Sequence, residues 1–128
     1  MKYLSLIPIL AIVLISACAK SSNEGVGGAS ITLSFPTGGE TFNQGDKITI
    51  QYDSSNVDHY QIWFTTNPDF ACDSAGWNLI KNHPYYNRTF EYTLPYQSTT
   101  TARIRIEGHS AIHETLTFVC SDVFTIQA

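Results

Sequence analysis

From Ser30 onward, apolar residues in this chain alternate with polar ones and do not recur at helical spacing. Ile31, Leu33 and Phe35 alternate, as do Ile48, Ile50 and Tyr52, and then Tyr60, Ile62 and Phe64. The pattern returns at Phe90, Tyr92 and Leu94, at Ala102, Ile104 and Ile106, and at Phe124 and Ile126. Period two places successive side chains on opposite faces, which describes half-buried strands with one face on a core. No stretch keeps an i, i+3, i+4, i+7 apolar pattern beyond one turn. Turn chemistry separates the segments: Pro36-Thr37-Gly38-Gly39, Gly45-Asp46, Asp53-Ser54-Ser55-Asn56, Asn67-Pro68-Asp69, and Pro95 after Leu94. About seven short strands across residues 30–128 predict an all-β chain folded as an antiparallel β-sandwich.

The N-terminus predicts export. Met1-Lys2 is a short positive start, and Leu4 to Ile15 is apolar except for Ser5 and Pro8. A bilayer-spanning helix needs roughly 20 apolar residues, so this run reads as a signal peptide over residues 1–17. Leu14-Ile15-Ser16-Ala17-Cys18 resembles a bacterial lipobox, with cysteine where the cleaved product begins. In that reading Cys18 carries the lipid that makes the membrane a partner of the protein. Two or three acyl chains at about 0.8 kcal/mol per buried CH₂ make a stable anchor. Ala19 follows the cysteine in place of the aspartate that resembles an inner-membrane retention signal, which favours the outer membrane. Residues 18–29 are rich in Gly, Ser and Asn and read as a flexible tether to the domain at 30–128.

The frame Ile31-x-Leu33-x-x-Pro36-x-Gly38-Gly39-Glu40-x-Phe42-x-x-Gly45 resembles the opening of the yeast cell-wall-synthesis Kre9/Knh1-like N-terminal domain family. The resemblance continues through Ile48-x-Ile50-x-Tyr52, Val57-Asp58-His59-Tyr60-x-Ile62-x-Phe64 and Phe90-x-Tyr92-x-Leu94-Pro95. It closes with Arg103-Ile104-Arg105-Ile106 and Ser121-Asp122-x-Phe124-x-Ile126. Departures fall at Tyr52, where Trp is usual, at Phe70 to Gly76, and between Gly108 and Cys120. The resemblance implies an immunoglobulin-like module of surface and cell-wall-associated proteins, and carries no catalytic residues with it.

Charge and motifs narrow the function further. Seven basic against eleven acidic side chains give a net charge of −4, which is not the footprint of a nucleic-acid binder. No G-x-S-x-G elbow, phosphate-cradling glycine loop or C-x-x-C motif is present, so the chain is read as non-enzymatic and without cofactor. His109-x-x-x-His113-Glu114, with Glu107 nearby, has metal-ligand spacing on a helix but joins two strands here, and reads as a solvated loop. Asp53-x-x-Asn56-x-Asp58 and Asp69-x-x-x-Asp73 could offer oxygens to calcium, yet such residues are favoured in turns for backbone reasons alone. No metal is therefore assigned. Asn87-Arg88-Thr89 is an N-glycosylation acceptor pattern without meaning in most bacteria, and Asp73-Ser74-Ala75 weakly resembles a Bacteroidetes O-glycosylation signal.

Two further expectations concern named pairs. With Cys18 used by lipid, Cys72 and Cys120 remain as an even pair in an oxidising compartment, which favours a disulfide. In a simple sandwich their positions lie at opposite ends, unless Leu116 and Phe118 extend the last strand backwards. The alternative is two free thiols. Side-chain alternation also turns Gln61 and Trp63, and likewise Arg103 and Arg105, away from the core on neighbouring strands. They form a candidate binding face for glycan or an envelope protein, or else the arginine stems simply cover Trp63. The expected function is a non-catalytic, lipid-anchored envelope module for binding or spacing. The alternative is a small carbohydrate-binding lipoprotein.

Overall fold

The computed structural model describes residues 28–83, 88–110 and 115–128. Nine strands follow one another: β1 (Ser30–Phe35), β2 (Thr41–Asn43), β3 (Lys47–Ser55), β4 (His59–Thr65), β5 (Asn78–His83), β6 (Thr89–Thr93), β7 (Thr99–Ser110), β8 (Thr115–Cys120) and β9 (Phe124–Gln127). One sheet has the order β1-β3-β6, and the other β2-β9-β7-β4-β5, with β8 also paired to β7. Every pairing is antiparallel except that of β2 with β9. The chain leaves one sheet after β3, builds β4 and β5 in the other, and returns for β6 before completing the second sheet. That order makes an immunoglobulin-like β-sandwich.

The alternating residues meet between the sheets. Ile31, Ile48, Ile50 and Tyr52 face Tyr60, Ile62, Phe64, Ile104, Ile106 and Phe124, all buried. Burial of each large apolar side chain contributes roughly 1.5–3 kcal/mol, so this layer supplies most of the driving force. Gly108 sets how closely β1 approaches β7. A Cβ there would stand 2.3 Å from Ile31 Cδ1 and 3.0 Å from Val57 Cγ1. At one end of the core the Ser54 and Tyr60 hydroxyls hydrogen-bond to each other. The neighbouring Tyr52 hydroxyl is buried and makes no hydrogen bond among the described residues.

The Pro36-Thr37-Gly38-Gly39-Glu40 turn owes its shape to one carboxylate. Glu40 Oε1 accepts from the Thr37 amide at 2.7 Å and Oε2 from the Gly38 amide at 2.8 Å. Burial favours the neutral acid, but the amides of Thr37, Glu40 and Gly38, with the Thr37 hydroxyl, outweigh it and hold the carboxyl below its ordinary range. The turn delivers the chain to β2, where Phe42 lies edge-on between Phe35 and Phe124.

The described residues form nine strands where about seven were expected, and the additional short elements share a physical reason. β2 spans three residues, too short to show alternation. β5 is an edge strand whose residues from Asn78 to Asn82 are exposed or half-buried, with Ile80 alone among them packing on the core, too little to set an alternating pattern. β8 alternates in the phase opposite to the one its apolar residues suggest. Thr117 is fully buried and Val119 packs on the core, whereas Leu116 is 44% exposed. Ala29, the residue before β1, is buried against the core. The signal peptide at 1–17 and Cys18 lie outside the described residues.

Candidate functional site

The outer face of the β4–β7 ladder carries the most concentrated chemistry in the described residues. Register sets Trp63 opposite Arg105, Gln61 opposite Glu107, and Thr65 opposite Arg103. Residues 66–77, between β4 and β5, fold back across this face as a flap. Cys72 in the flap is bonded to Cys120 at the end of β8, with a Cα separation of 5.8 Å. Cys120 is itself the β8 partner of Arg105, so the disulfide lands directly beside the guanidinium. The short strand β8 brings Cys120 to the flap, which resolves the apparent distance between the two ends of the sandwich.

A loop without ladder partners must find donors for its carbonyls, and here two arginines supply them. Arg105 Nη1 donates to the Cys72 carbonyl at 3.0 Å and the Ser74 carbonyl at 2.8 Å. Arg103 Nη1 donates to Phe70 O at 2.6 Å, and its Nε to Ser121 O at 3.3 Å. Aromatic rings close around the same groups. The Arg105 guanidinium carbon lies 4.8 Å from the Trp63 centroid, 5.0 Å from that of Trp77 and 5.6 Å from that of Phe118. Arg103 lies 5.2 Å from the Trp77 centroid. Trp77 is buried and its indole Nε1 donates to Ala71 O at 3.2 Å.

Gln61, Trp63, Arg103 and Arg105 therefore share a face as alternation requires, and of its two readings, an open platform or arginine lying over Trp63, the geometry matches the second. Arg105 is only 5% exposed, and the Trp63 indole nitrogen is buried without a hydrogen-bond partner among the described residues. The flap covers them because stacking and carbonyl hydrogen bonds satisfy both partners at once. Burial lowers the affinity of Arg105 for its proton, while Glu107 and Asp73 work in the opposite direction. Glu107 Oε2 stands 3.7 Å from Arg105 Nη2, a pair buried on both sides. Alternation set the four residues on one face and allowed for arginine over Trp63, but it could not foresee the flap. Neither Trp77 on this face nor Phe118 against Arg105 was foreseen from the sequence, although two arginines at i, i+2 facing a Trp- and Cys-containing loop were a usable signal.

Several of the remaining candidate ligands have structural partners. His109 is not in a solvated loop but in β7, where its ring stacks on His59 at 4.5 Å and Nε2 lies 2.8 Å from Glu107 Oε1. The strand continues past Gly108 because β8 pairs with it, so His109 and Glu107 share its outer face. His113 and Glu114 lie outside the described residues, as does Asn87. Asp53 Oδ1 accepts from the Ser54 amide at 2.8 Å and lies 3.4 Å from Arg88 Nε. Asn56 donates to Gly28 O at 3.1 Å from a left-handed backbone, φ 57°. Ser74 Oγ accepts from the Ala71 amide at 2.9 Å inside the flap. No group of three or more His, Cys, Asp or Glu among the described residues could hold a metal ion.

No protein-family model matches the chain, and no curated protein matches it. Among solved structures, the fibronectin(III)-like modules of Clostridium thermocellum CbhA are similar to it, at 18% identity and a TM-score of 0.45. That match covers 76% of this chain and 92% of the other. The class defined by strand order is an immunoglobulin-like sandwich, here with a disulfide-pinned flap over one sheet.

Proposed function

We propose that this chain is a non-catalytic module of a bacterial envelope, anchored by lipid on Cys18, that binds or spaces a partner there. The observation that carries the reading is Leu14-Ile15-Ser16-Ala17-Cys18 followed by a Gly- and Ser-rich tether into a sandwich. The sandwich supports it, because the arginines and indoles of its most reactive face are engaged with its own flap. The resemblance of residues 30–126 to the Kre9/Knh1-like family agrees with an envelope location, and Ala19 favours the outer membrane. Expression with the native signal should give a product that enters the detergent phase and gains the mass of a diacylglycerol. Cys18→Ala should lose both properties. A wild-type product recovered in the aqueous phase with an unmodified N-terminus would remove the anchor and the location together. The second reading, a small carbohydrate-binding lipoprotein, is favoured by one exposed ring at the far end of the domain.

A further inference from the structure

The tether and the loop after β6 leave the sandwich at opposite poles. Gly28 is held at one end by the Asn56 side chain, in the turn between β3 and β4. β1 begins there, with Ser30 opposite Ser55. The other end of β3, at Lys47, pairs with Thr93, and the chain then passes through Leu94 and Pro95 to Tyr96. At about 3.3 Å per residue the nine residues of β3 separate these poles by about 30 Å. The Tyr96 pole is thus the end of the domain remote from the point where the chain enters it.

Tyr96 is 83% exposed, far more than any other large hydrophobic residue described. An exposed ring is ordinary if it is loose, but this one is seated. Its phenol end lies on Gly45, where a Cβ would come within 2.8 Å of the hydroxyl oxygen and 2.9 Å of Cζ. Gly45 has φ +76°, a left-handed conformation that keeps the residue free of a side chain. The turn beneath it is fixed by backbone bonds: Gly45 N to Leu94 O, Leu94 N to Asp46 O, and Gln44 N to Gln127 O. The two turns that carry Gly45 and Tyr96 also carry uncharged hydrogen-bonding groups that orient one another. Gln44 Nε2 donates to Ser98 Oγ at 3.0 Å, and Gln127 Nε2 donates to Asn43 Oδ1 at 3.1 Å. The charged groups next along the chain are engaged elsewhere: Asp46 Oδ2 accepts from the Asn43 amide at 2.8 Å, and Lys47 lies 3.7 Å from Glu91.

We infer that this pole is a glycan-binding tip, with Tyr96 as the stacking platform for a neutral sugar ring and Gln44, Ser98, Asn43 and Gln127 as its hydrogen-bonding frame. A pyranose presents an apolar C–H face and a polar equatorial edge. A half-held phenol ring bordered by amides and a hydroxyl matches both. The frame carries no charge, so it suits neutral saccharides over uronic acids or phosphorylated chains. Seating on Gly45 lowers the ordering cost of binding, since the ring and its turn are already in place. The inference rests on the reading of the chain as a binding module and assigns that module its ligand class and site.

The test uses the whole mature chain with cellohexaose, laminarihexaose and chitohexaose as neutral probes and hexagalacturonate as the charged one. Binding is followed by calorimetry and by amide shifts in nitrogen-15 spectra. At least one neutral hexasaccharide should move the Gln44, Tyr96 and Ser98 amides, and hexagalacturonate should bind at least about tenfold more weakly. Tyr96→Ala should weaken binding by about tenfold or more, and Tyr96→Phe should keep most of it. Both variants should melt within about 2 °C of wild type, since the ring is exposed. Failure of all neutral probes at about 10 mM would overturn the glycan assignment, and detergent partition of the lipidated chain would still decide the anchored-module reading. Binding unaltered in Tyr96→Ala would place the ligand elsewhere and leave the binding module standing. A large fall in melting temperature with binding intact would make Tyr96 a structural ring, and the tip would be refuted.

Discussion

Arg105 and Trp63 face one another across the β4–β7 ladder, the guanidinium carbon 4.8 Å from the indole centroid. The same guanidinium is bounded on another side by Trp77 and donates two hydrogen bonds to flap carbonyls. One side chain thereby joins the sheet, the flap and the disulfide. A cation removed from water in this way is costly unless its partners are complete, so the group holds the flap only as a set.

Removing Arg105 should accordingly cost more than an ordinary surface change. Arg105→Ala leaves Glu107 buried beside a void and strips donors from the Cys72 and Ser74 carbonyls. A loss of about 3 kcal/mol is expected in urea denaturation. Arg105→Lys should recover part of it, because an ammonium keeps the charge but cannot span both carbonyls and stack. In a double-mutant cycle of Trp63→Leu with Arg105→Met, a coupling of about 1 kcal/mol or more is expected. Strict additivity would show that the stack does not hold the flap.

The disulfide closes a segment with a sequence separation of 48. In the chain-entropy account such a loop stabilises by about 4 kcal/mol, so Cys72→Ser with Cys120→Ser should lower stability by up to that amount. Mass spectrometry of unreduced peptides checks the bond, and denaturation with and without reductant checks its contribution. Equal stability in both conditions would contradict the role given to it.

Acid should act through Glu40. Its folded carboxyl titrates below its unfolded counterpart, so the unfolded chain takes up the proton first as pH falls. The stability it contributes is present above the unfolded value and is lost as pH falls through the folded one. Glu40→Gln should flatten that part of the stability-against-pH curve. An unchanged acid limb in the variant would assign the loss to other carboxylates.

Alkali should act through Tyr52. Burial first, and then the neighbouring Tyr60, push its hydroxyl up to about 12. The unfolded tyrosine ionises near 10, so its contribution is intact below that and disappears as pH climbs towards about 12. Tyr52→Phe should remove this alkaline loss. It should also hold or raise neutral-pH stability, by up to about 1 kcal/mol, because the hydroxyl is buried without a partner. Tyrosinate absorbance followed through alkaline pH tests both, and a clear loss of stability at pH 7 would mean that the hydroxyl has a partner.

Gly108→Ala should destabilise by roughly 1–3 kcal/mol, as the new methyl group meets Ile31 and Val57. Thermal unfolding of the variant measures it. Pairing it with Ile31→Val should recover part of the loss if Ile31 is the obstructing group.

Local alternation was sufficient to define the strands that contribute two or three residues to the core, such as Tyr60, Ile62 and Phe64, because burial on one face imposes period two. It was also sufficient to place Trp63 beside an arginine, since register between neighbouring antiparallel strands follows from which faces are buried. Elements without that burial contrast left no such pattern: the edge strand β5, the three-residue β2, and β8, whose Phe118 faces Arg105 and whose Thr117 fills the core. Whether Trp63 was an open platform depended on residues 66–77, a loop with no period of its own. Only the tertiary structure could decide it. The flap settles where long-range partners satisfy it, and the hydrogen bonds from Arg103 and Arg105 to its carbonyls span about 30 positions of sequence. Tyr96 belongs to the same class, since its seat on Gly45 joins the turn before β3 to the turn after β6, about 50 positions apart in the chain. Patterns set by neighbouring residues are written along the chain, and contacts that close a loop over a face arise only when distant segments meet.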